Sequence, residues 1–289
     1  MRRARPRPLL LIAVLVAASC AIVEGRAAEI THGAAINTQA PATARPVRFV
    51  ASSDTLPLAS DLADAYAASG SPFRIDVATE THSAVIDAVL DSEADLGIAM
   101  VEASRGQDPE ISQAWSDADP RLLGWDAIVV MVHPLRGPET LSEAQLARVL
   151  SGEIHDWSDL GSGGGTIAIL GRGEGSPTRD ALTTLLGLDS FAPRMELLAH
   201  DAAICDAIST QPLAMGWVKL SSVTNRCQVV PLEGVYPSAR TLRNGDYPLR
   251  LALVLITAPQ AVPEARTLAR WIRSPAGQAI VTQRALPAS

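Results

Sequence analysis

Thr166-Ile167-Ala168-Ile169-Leu170-Gly171-Arg172-Gly173-Glu174-Gly175-Ser176-Pro177-Thr178 is the stretch whose reading decides the fold. The apolar run Thr166 to Leu170 predicts a strand, Gly171 to Pro177 a polar turn, and the residues from about Thr178 to Leu186 a helix. Strand, polar loop and helix in that order form one half of a βαβ unit.

The same order occurs twice upstream. Val47 to Ala51 reads as a strand, Ser52-Ser53-Asp54-Thr55 as a polar turn and Leu58 to Ala68 as a helix. Phe73 to Ala78, Glu80-Thr81-His82-Ser83 and Ala84 to Leu90 repeat it before the short strand Leu96 to Ala99. Such alternation predicts an α/β fold with a mostly parallel sheet. Two apolar runs, Ala127 to Val132 and Leu249 to Thr257, are long enough to cross the molecule, and Leu141 to Leu150 carries a helical apolar face. Pro263 to Gln283 reads as two helical stretches around Ser274-Pro275-Ala276-Gly277.

The chain has 289 residues, 47% of them hydrophobic, with 24 Lys+Arg against 31 Asp+Glu and a formal charge of −7. That length and composition suit one or two compact domains with a sizeable core. Aromatics make up only 4%, and without a basic stripe or stacking platforms nucleic-acid binding is excluded. Arg2, Arg3, Arg5 and Arg7 precede an apolar run from Leu9 to about Val23, so residues 1–27 read as a secretory signal peptide ending at Ala27. The run is too short to span a membrane as a helix. Ala17-Ala18-Ser19-Cys20 leaves lipid attachment at Cys20 open. Residues 28–45, rich in Ala, Thr and Pro, read as a flexible leader. Removal of 1–27 takes five Arg and one Glu and leaves a charge of −11, so any anion site works against the field of the whole chain. Cys205 and Cys227 then remain, and export to an oxidising compartment predicts a disulfide between them.

The three polar turns each follow a strand and open a helix. Helix N-termini present unpaired N–H donors and partial positive charge, and in an open parallel sheet such loops gather at the carboxyl ends of the strands. Several donors can thus converge on one small anion. Taken singly, Ser, Thr and Asp in these turns are also what simple helix caps require. The third turn goes further, because Arg172 adds a permanent cation whose planar fork matches a tetrahedral oxyanion, four residues ahead of Ser176 and six ahead of Thr178.

Arg172-Gly173-Glu174-Gly175-Ser176-Pro177-Thr178-Arg179 resembles the Arg loop of the phosphate-binding proteins of ABC uptake systems. Asp54-Thr55-Leu56-Pro57 is similar to that family's first phosphate loop, and Gly152-Glu153-Ile154-His155-Asp156-Trp157 to the segment before its Arg loop. Ala214-Met215-Gly216-Trp217-Val218, Tyr247-Pro248-Leu249-Arg250 and Ser274-Pro275-Ala276-Gly277-Gln278 resemble later segments in the same order. The resemblance implies a two-lobed periplasmic-binding-protein fold, type II-like, with two hinge-crossing strands. Lobe 1 would comprise 46–128 with 250–289, and lobe 2 would comprise 129–249.

Carried over by position, the resemblance implies that Thr55 offers a hydroxyl and Leu56 a backbone N–H. Arg172 would offer its guanidinium, and Ser176 and Thr178 hydroxyl and N–H groups. Thr81 or Ser83 would replace the serine of the family's second loop, and Glu102 would stand for its acidic residue that accepts the proton of hydrogen phosphate. Pro177 stands where the family has Gly and supplies no N–H. The implied ligand is inorganic phosphate or a similar oxyanion and the implied partner an ABC transporter permease. The protein would be periplasmic, monomeric and non-enzymatic, with no cofactor. Two other readings stay open: a ligand-sensing or interaction module of the same fold with changed or lost anion specificity, and a phosphate-ester hydrolase using Ser176 with His155 or His200. Against the hydrolase, no Gly-x-Ser-x-Gly elbow is present, and His32, His82, His133, His155 and His200 are scattered rather than set at metal-ligand spacing.

Overall fold

Short β-branched runs flanked by polar turns form the strands, and helices with one apolar stripe cover them. The computed structural model describes residues 45–103 and 118–288. The expected signal peptide, Cys20 and all of the expected leader but Arg45 lie outside the described residues. The first sheet starts with β1 (Val47–Ser52), α1 (Leu56–Ala68), β2 (Ile75–Glu80), α2 (His82–Leu90) and β3 (Leu96–Ala103). β1 pairs in parallel with β2 and β3. On α1, Leu58, Ala59, Leu62, Ala63 and Tyr66 recur at helical spacing and are buried, with Tyr66 against Trp271 at 5.1 Å between ring centroids.

The long strand β4 (Asp119–Val132) links two sheets. Its residues 119–127 pair antiparallel with β9 (Arg250–Thr257), which in turn pairs with β3. Its residues 128–132 pair instead with β7 (Ala214–Lys219) and β8 (Gln228–Val230). The chain returns at Tyr247–Leu249, where the Leu249 carbonyl accepts from Ile128 N–H at 2.9 Å and the buried Tyr247 hydroxyl donates to the Ile128 carbonyl at 3.0 Å. The sequence marks only 127–132 of β4, because Asp119 to Asp126 mixes polar and apolar residues and owes its extended form to β9.

The second sheet continues from β7 to β5 (Ala168–Arg172) and β6 (Glu196–Leu198), all parallel. It carries α3 (Glu143–Leu150), α4 (Pro177–Leu186), α5 (Asp201–Thr210) and α6 (Ala239–Arg243). β5 runs two residues beyond the expected strand, so Arg172 ends the strand instead of sitting within the turn. β6 and α5 occupy a stretch in which sequence reading marks no element. The chain closes with α7 (Pro263–Ile272), α8 (Pro275–Val281) and β10 (Leu286–Pro287), the last pairing with β4. Among the described residues no helix is long and apolar enough to cross a membrane.

Asp95 fixes the start of the first sheet. Its carboxylate accepts from the Arg45 guanidinium at 2.6 and 2.7 Å, from Arg48 N–H at 2.9 Å and from Val262 N–H at 3.3 Å. Burial disfavours its charged form, yet the hydrogen bonds from Arg45 and the two N–H groups outweigh burial and hold Asp95 below the usual carboxylate value.

The expected disulfide is absent. Cys205 and Cys227 are free thiols: Cys227 Sγ donates to the Cys205 carbonyl at 3.0 Å, and Cys205 Sγ approaches the Ser222 carbonyl at 3.9 Å. Burial pushes the Cys227 thiol up to about 11, with Cys205 adding to the shift.

Candidate functional site

A cavity of about 460 Å³ opens at the carboxyl ends of the strands, between the β1–α1 loop of the first sheet and the β5–α4 loop of the second. Four of the residues singled out from sequence line it: Thr55, Arg172, Ser176 and Thr178. Leu56, Thr81, Ser83 and Glu102 are not among its lining residues.

The reasons are local. Thr81 is exposed and caps α2, accepting from Ala84 N–H at 3.4 Å, and Ser83 is exposed in the first turn of that helix. Glu102 is half-buried on β3, two residues past Met100, which does face the cavity. Leu56 opens α1, and its side chain packs against the core. Its backbone N–H belongs to the first turn, whose donors have no intrahelical acceptor. Thr55 is in place, but its hydroxyl accepts from Ser52 N–H at 3.0 Å and donates to the Ile98 carbonyl at 2.9 Å. That hydroxyl therefore ties the loop to β3.

The Arg172 loop is built for rigidity. Gly175 has φ of 74°, a left-handed conformation that favours glycine and turns the chain into α4. Pro177 occupies the first turn of α4, where a missing N–H breaks no helical bond. The buried Ser176 and Thr178 hydroxyls lie 3.1 Å apart. One donates to the other, which leaves one hydroxyl proton for a ligand. Behind Arg172, the Arg179 guanidinium donates to its carbonyl at 2.9 Å and lies 4.3 Å from the Phe191 ring centroid, and Phe191 stacks on Trp217. Trp217 crosses directly over Gly171, where any Cβ would collide with the indole.

Arg172 Nη1 donates to Asp201 Oδ1 at 2.9 Å, while Asp201 Oδ2 accepts from Lys219 N–H at 3.0 Å. Asp201 thereby fixes both the guanidinium and the end of β7. Lys219 reaches across to the first sheet's loop, with Nζ 3.4 Å from the Asp54 carbonyl and 4.0 Å from Asp54 Oδ2. His200 also lines the cavity, but its Nδ1 accepts from Ala203 N–H at 3.1 Å as the cap of α5. Ser176 has Thr178 rather than a histidine as its side-chain partner.

Asp201 and Lys219 also line the cavity, and sequence reasoning gave them no role; Asp54 entered only as part of the first polar turn, without a role of its own. Lys219 follows directly on the strand expected at Ala214 to Val218, at the strand end where ligand loops gather. His200-Asp201 before an Ala-rich stretch is a helix-start signal that went unused. The cavity is thus lined by three cations, Arg172, Lys219 and Arg284, the last paired with Asp61, by two carboxylates and by the N-termini of α1, α4 and α5. It can hold a small anion by charge-assisted hydrogen bonds from both sheets. Among the described residues no group of three or more His, Cys, Asp or Glu could hold a metal ion.

The PBP superfamily domain matches residues 37–276. The chain belongs to the PBP superfamily. "Phosphate-binding protein PstS 2" of Streptococcus agalactiae is 30% identical over 144 residues, covering 46% of this PBP superfamily chain and 48% of that protein. "Phosphate-binding protein PstS" of Bacillus subtilis is 28% identical over 121 residues, or 41% and 40% of the two chains. The matches thus span about half the length of these relatives. Among solved structures, an ABC-type phosphate transport receptor from Vibrio cholerae superposes with a TM-score of 0.72 at 17% identity, over 83% of this chain and all of that one. A putative phosphate ABC transporter substrate-binding protein with bound phosphate from Clostridium perfringens gives 0.67 at 20% identity, over 85% and 100%. At these identities the structures establish the two-lobed fold.

Proposed function

We propose that this protein is an exported solute-binding protein that captures a tetrahedral oxyanion, foremost inorganic phosphate, between its two lobes for delivery to an ABC transporter permease. The observation that carries the proposal is the Arg172 guanidinium standing beside the paired Ser176 and Thr178 hydroxyls and the first turn of α4, all lining one cavity. Residues 46–128 with 250–289 form one lobe in this reading and 129–249 the other, with β4 and the return at Tyr247–Leu249 as the hinge. The anion bridges donors from both and so favours the closed state.

The sequence relatives, phosphate-binding proteins of Streptococcus agalactiae and Bacillus subtilis, support phosphate as the ligand, and delivery to an ABC transporter is what the family resemblance implies. Export to the periplasm rests on the signal-peptide pattern of residues 1–27. The protein binds its ligand and leaves it chemically unchanged. Isothermal titration of the chain with phosphate, sulfate and molybdate tests the proposal. Saturable phosphate binding at one site supports it, and absence of binding to all three would refute it.

A further inference from the structure

Away from the cavity, the chain concentrates positive charge on one face of α7. Arg266, Arg270 and Arg273 recur at spacings of four and three, which places them on one side of the helix, while Ala265, Leu268 and Ile272 are buried on the other. Arg121 near the start of β4 joins them, and the four exposed arginines with Asp119 and Thr257 line a depression of about 150 Å³. Asp119 pairs with Arg121 at 2.6 Å and is the one carboxylate among the described lining residues. Arg266 donates to the Pro259 carbonyl at 2.7 Å and Arg270 to the Thr267 hydroxyl at 2.9 Å, and among the described residues neither they nor Arg273 form an ion pair. In a chain of net charge −7 this face is positive against the sign of the whole. Screening limits what an approaching partner feels to about 8 Å at physiological ionic strength, so the face attracts anions despite the overall charge.

Thr257 pairs with Leu96 at the amino end of β3, whereas Met100, further along β3, and the β1–α1 loop line the anion cavity. The arginine face and the cavity therefore lie at opposite ends of the first sheet. The chain enters that sheet at the arginine end: Asp95, just before β3, binds both the Arg45 guanidinium and the N–H of Val262, the residue that precedes α7. Upstream of Arg45 the sequence carries Cys20 and the apolar run from Leu9 to about Val23. An N-terminal membrane attachment would thus draw the arginine end of the fold, and not the cavity, to the bilayer.

We propose that the arginine face of α7 docks the exported protein on a bilayer of anionic phospholipid, its guanidiniums taking the headgroup phosphates. Each guanidinium presents a planar fork matched to phosphate oxygens, and clustered basic residues on a helix face gain from every anionic headgroup beneath them. Docked this way, the protein turns its cavity away from the lipid and toward the solute it collects. The proposal stands independently of what the cavity binds.

The test is flotation of the chain as exported with vesicles of phosphatidylcholine alone and of phosphatidylcholine with about 30% phosphatidylglycerol. Binding to the anionic vesicles should exceed binding to the neutral ones by at least about tenfold and should be lost at about 0.5 M salt. Arg270→Gln combined with Arg273→Gln should weaken it by at least about tenfold, since each arginine near the surface contributes about a factor of five. Arg240→Gln combined with Arg243→Gln, on α6, removes the same net charge elsewhere and should leave binding within about twofold. A thermal midpoint no lower than that of the unaltered chain separates loss of docking from loss of fold.

Equal binding to the two kinds of vesicle would overturn the proposal. So would an equal loss in the two double variants, which would reduce the attraction to diffuse charge. Tighter binding to oligoglutamate than to the anionic vesicles would also overturn it, because the face would then fit an acidic protein segment better than a lipid surface.

Discussion

At the scale of single residues, the proposed anion site depends most on Arg172. Its guanidinium is partly buried and held by Asp201, so it is aimed before a ligand arrives. Replacing it with alanine removes a charge-assisted fork and leaves Asp201 without its partner. Arg172→Ala should therefore weaken phosphate binding by about 2–5 kcal/mol, measured by calorimetry. Ser176→Ala removes one member of a hydroxyl pair and should cost about 1–3 kcal/mol in the same measurement. The positions of Arg172, Ser176 and Thr178 were legible because a cation and two hydroxyls at a strand-to-helix turn have few other uses. Thr81 and Ser83 were not separable from ordinary caps, since cap and ligand donor share the same residue types. Lys219 went unmarked for a different reason: it meets the Asp54 loop only when the two sheets come together.

At the scale of elements, the Arg172 loop depends on packing behind it. Gly171 lets the Trp217 ring lie against β5, and Phe191 and Arg179 extend the stack. Gly171→Ala forces strand and ring apart and should lower stability by about 1–3 kcal/mol in urea unfolding, with a loss of phosphate affinity from the displaced Arg172. Far from the cavity, Asp95 ties β1 to the loop before α7. Its carboxyl is held below the usual carboxylate value in the folded chain, so the stability it contributes is present above about pH 4. That contribution is lost as pH falls through the lowered folded value. Asp95→Ala should therefore destabilise the chain near neutral pH, with the difference shrinking on acidification and with phosphate affinity unchanged, as followed by urea unfolding across pH. The strand–loop–helix order of the first three units was readable from periodicity alone. β6 and the first half of β4 were not, because three-residue strands and mixed polar runs become extended only through their neighbours. The two cysteines likewise lie close together, as expected, but unbonded.

At the scale of the whole molecule, two sheets share β4, and the chain crosses between them again at Tyr247–Leu249. The cavity sits between the loops of the two sheets, so in the proposed function a bound anion would couple them and favour a closed form. Saturating phosphate at about 100 times its dissociation constant should raise the unfolding free energy by about 2.7 kcal/mol, read as a shift in thermal midpoint. The two-lobed arrangement was accessible from sequence through the order of motifs, whereas the ion pairs that link the lobes are properties of the assembled chain. The most direct test of the central claim is calorimetric titration of phosphate into the unaltered chain and into Arg172→Ala under identical conditions. The account predicts one saturable site in the first and binding weakened by at least about 30-fold in the second. Equal affinity in the two proteins, or no phosphate binding by the unaltered chain, would contradict it.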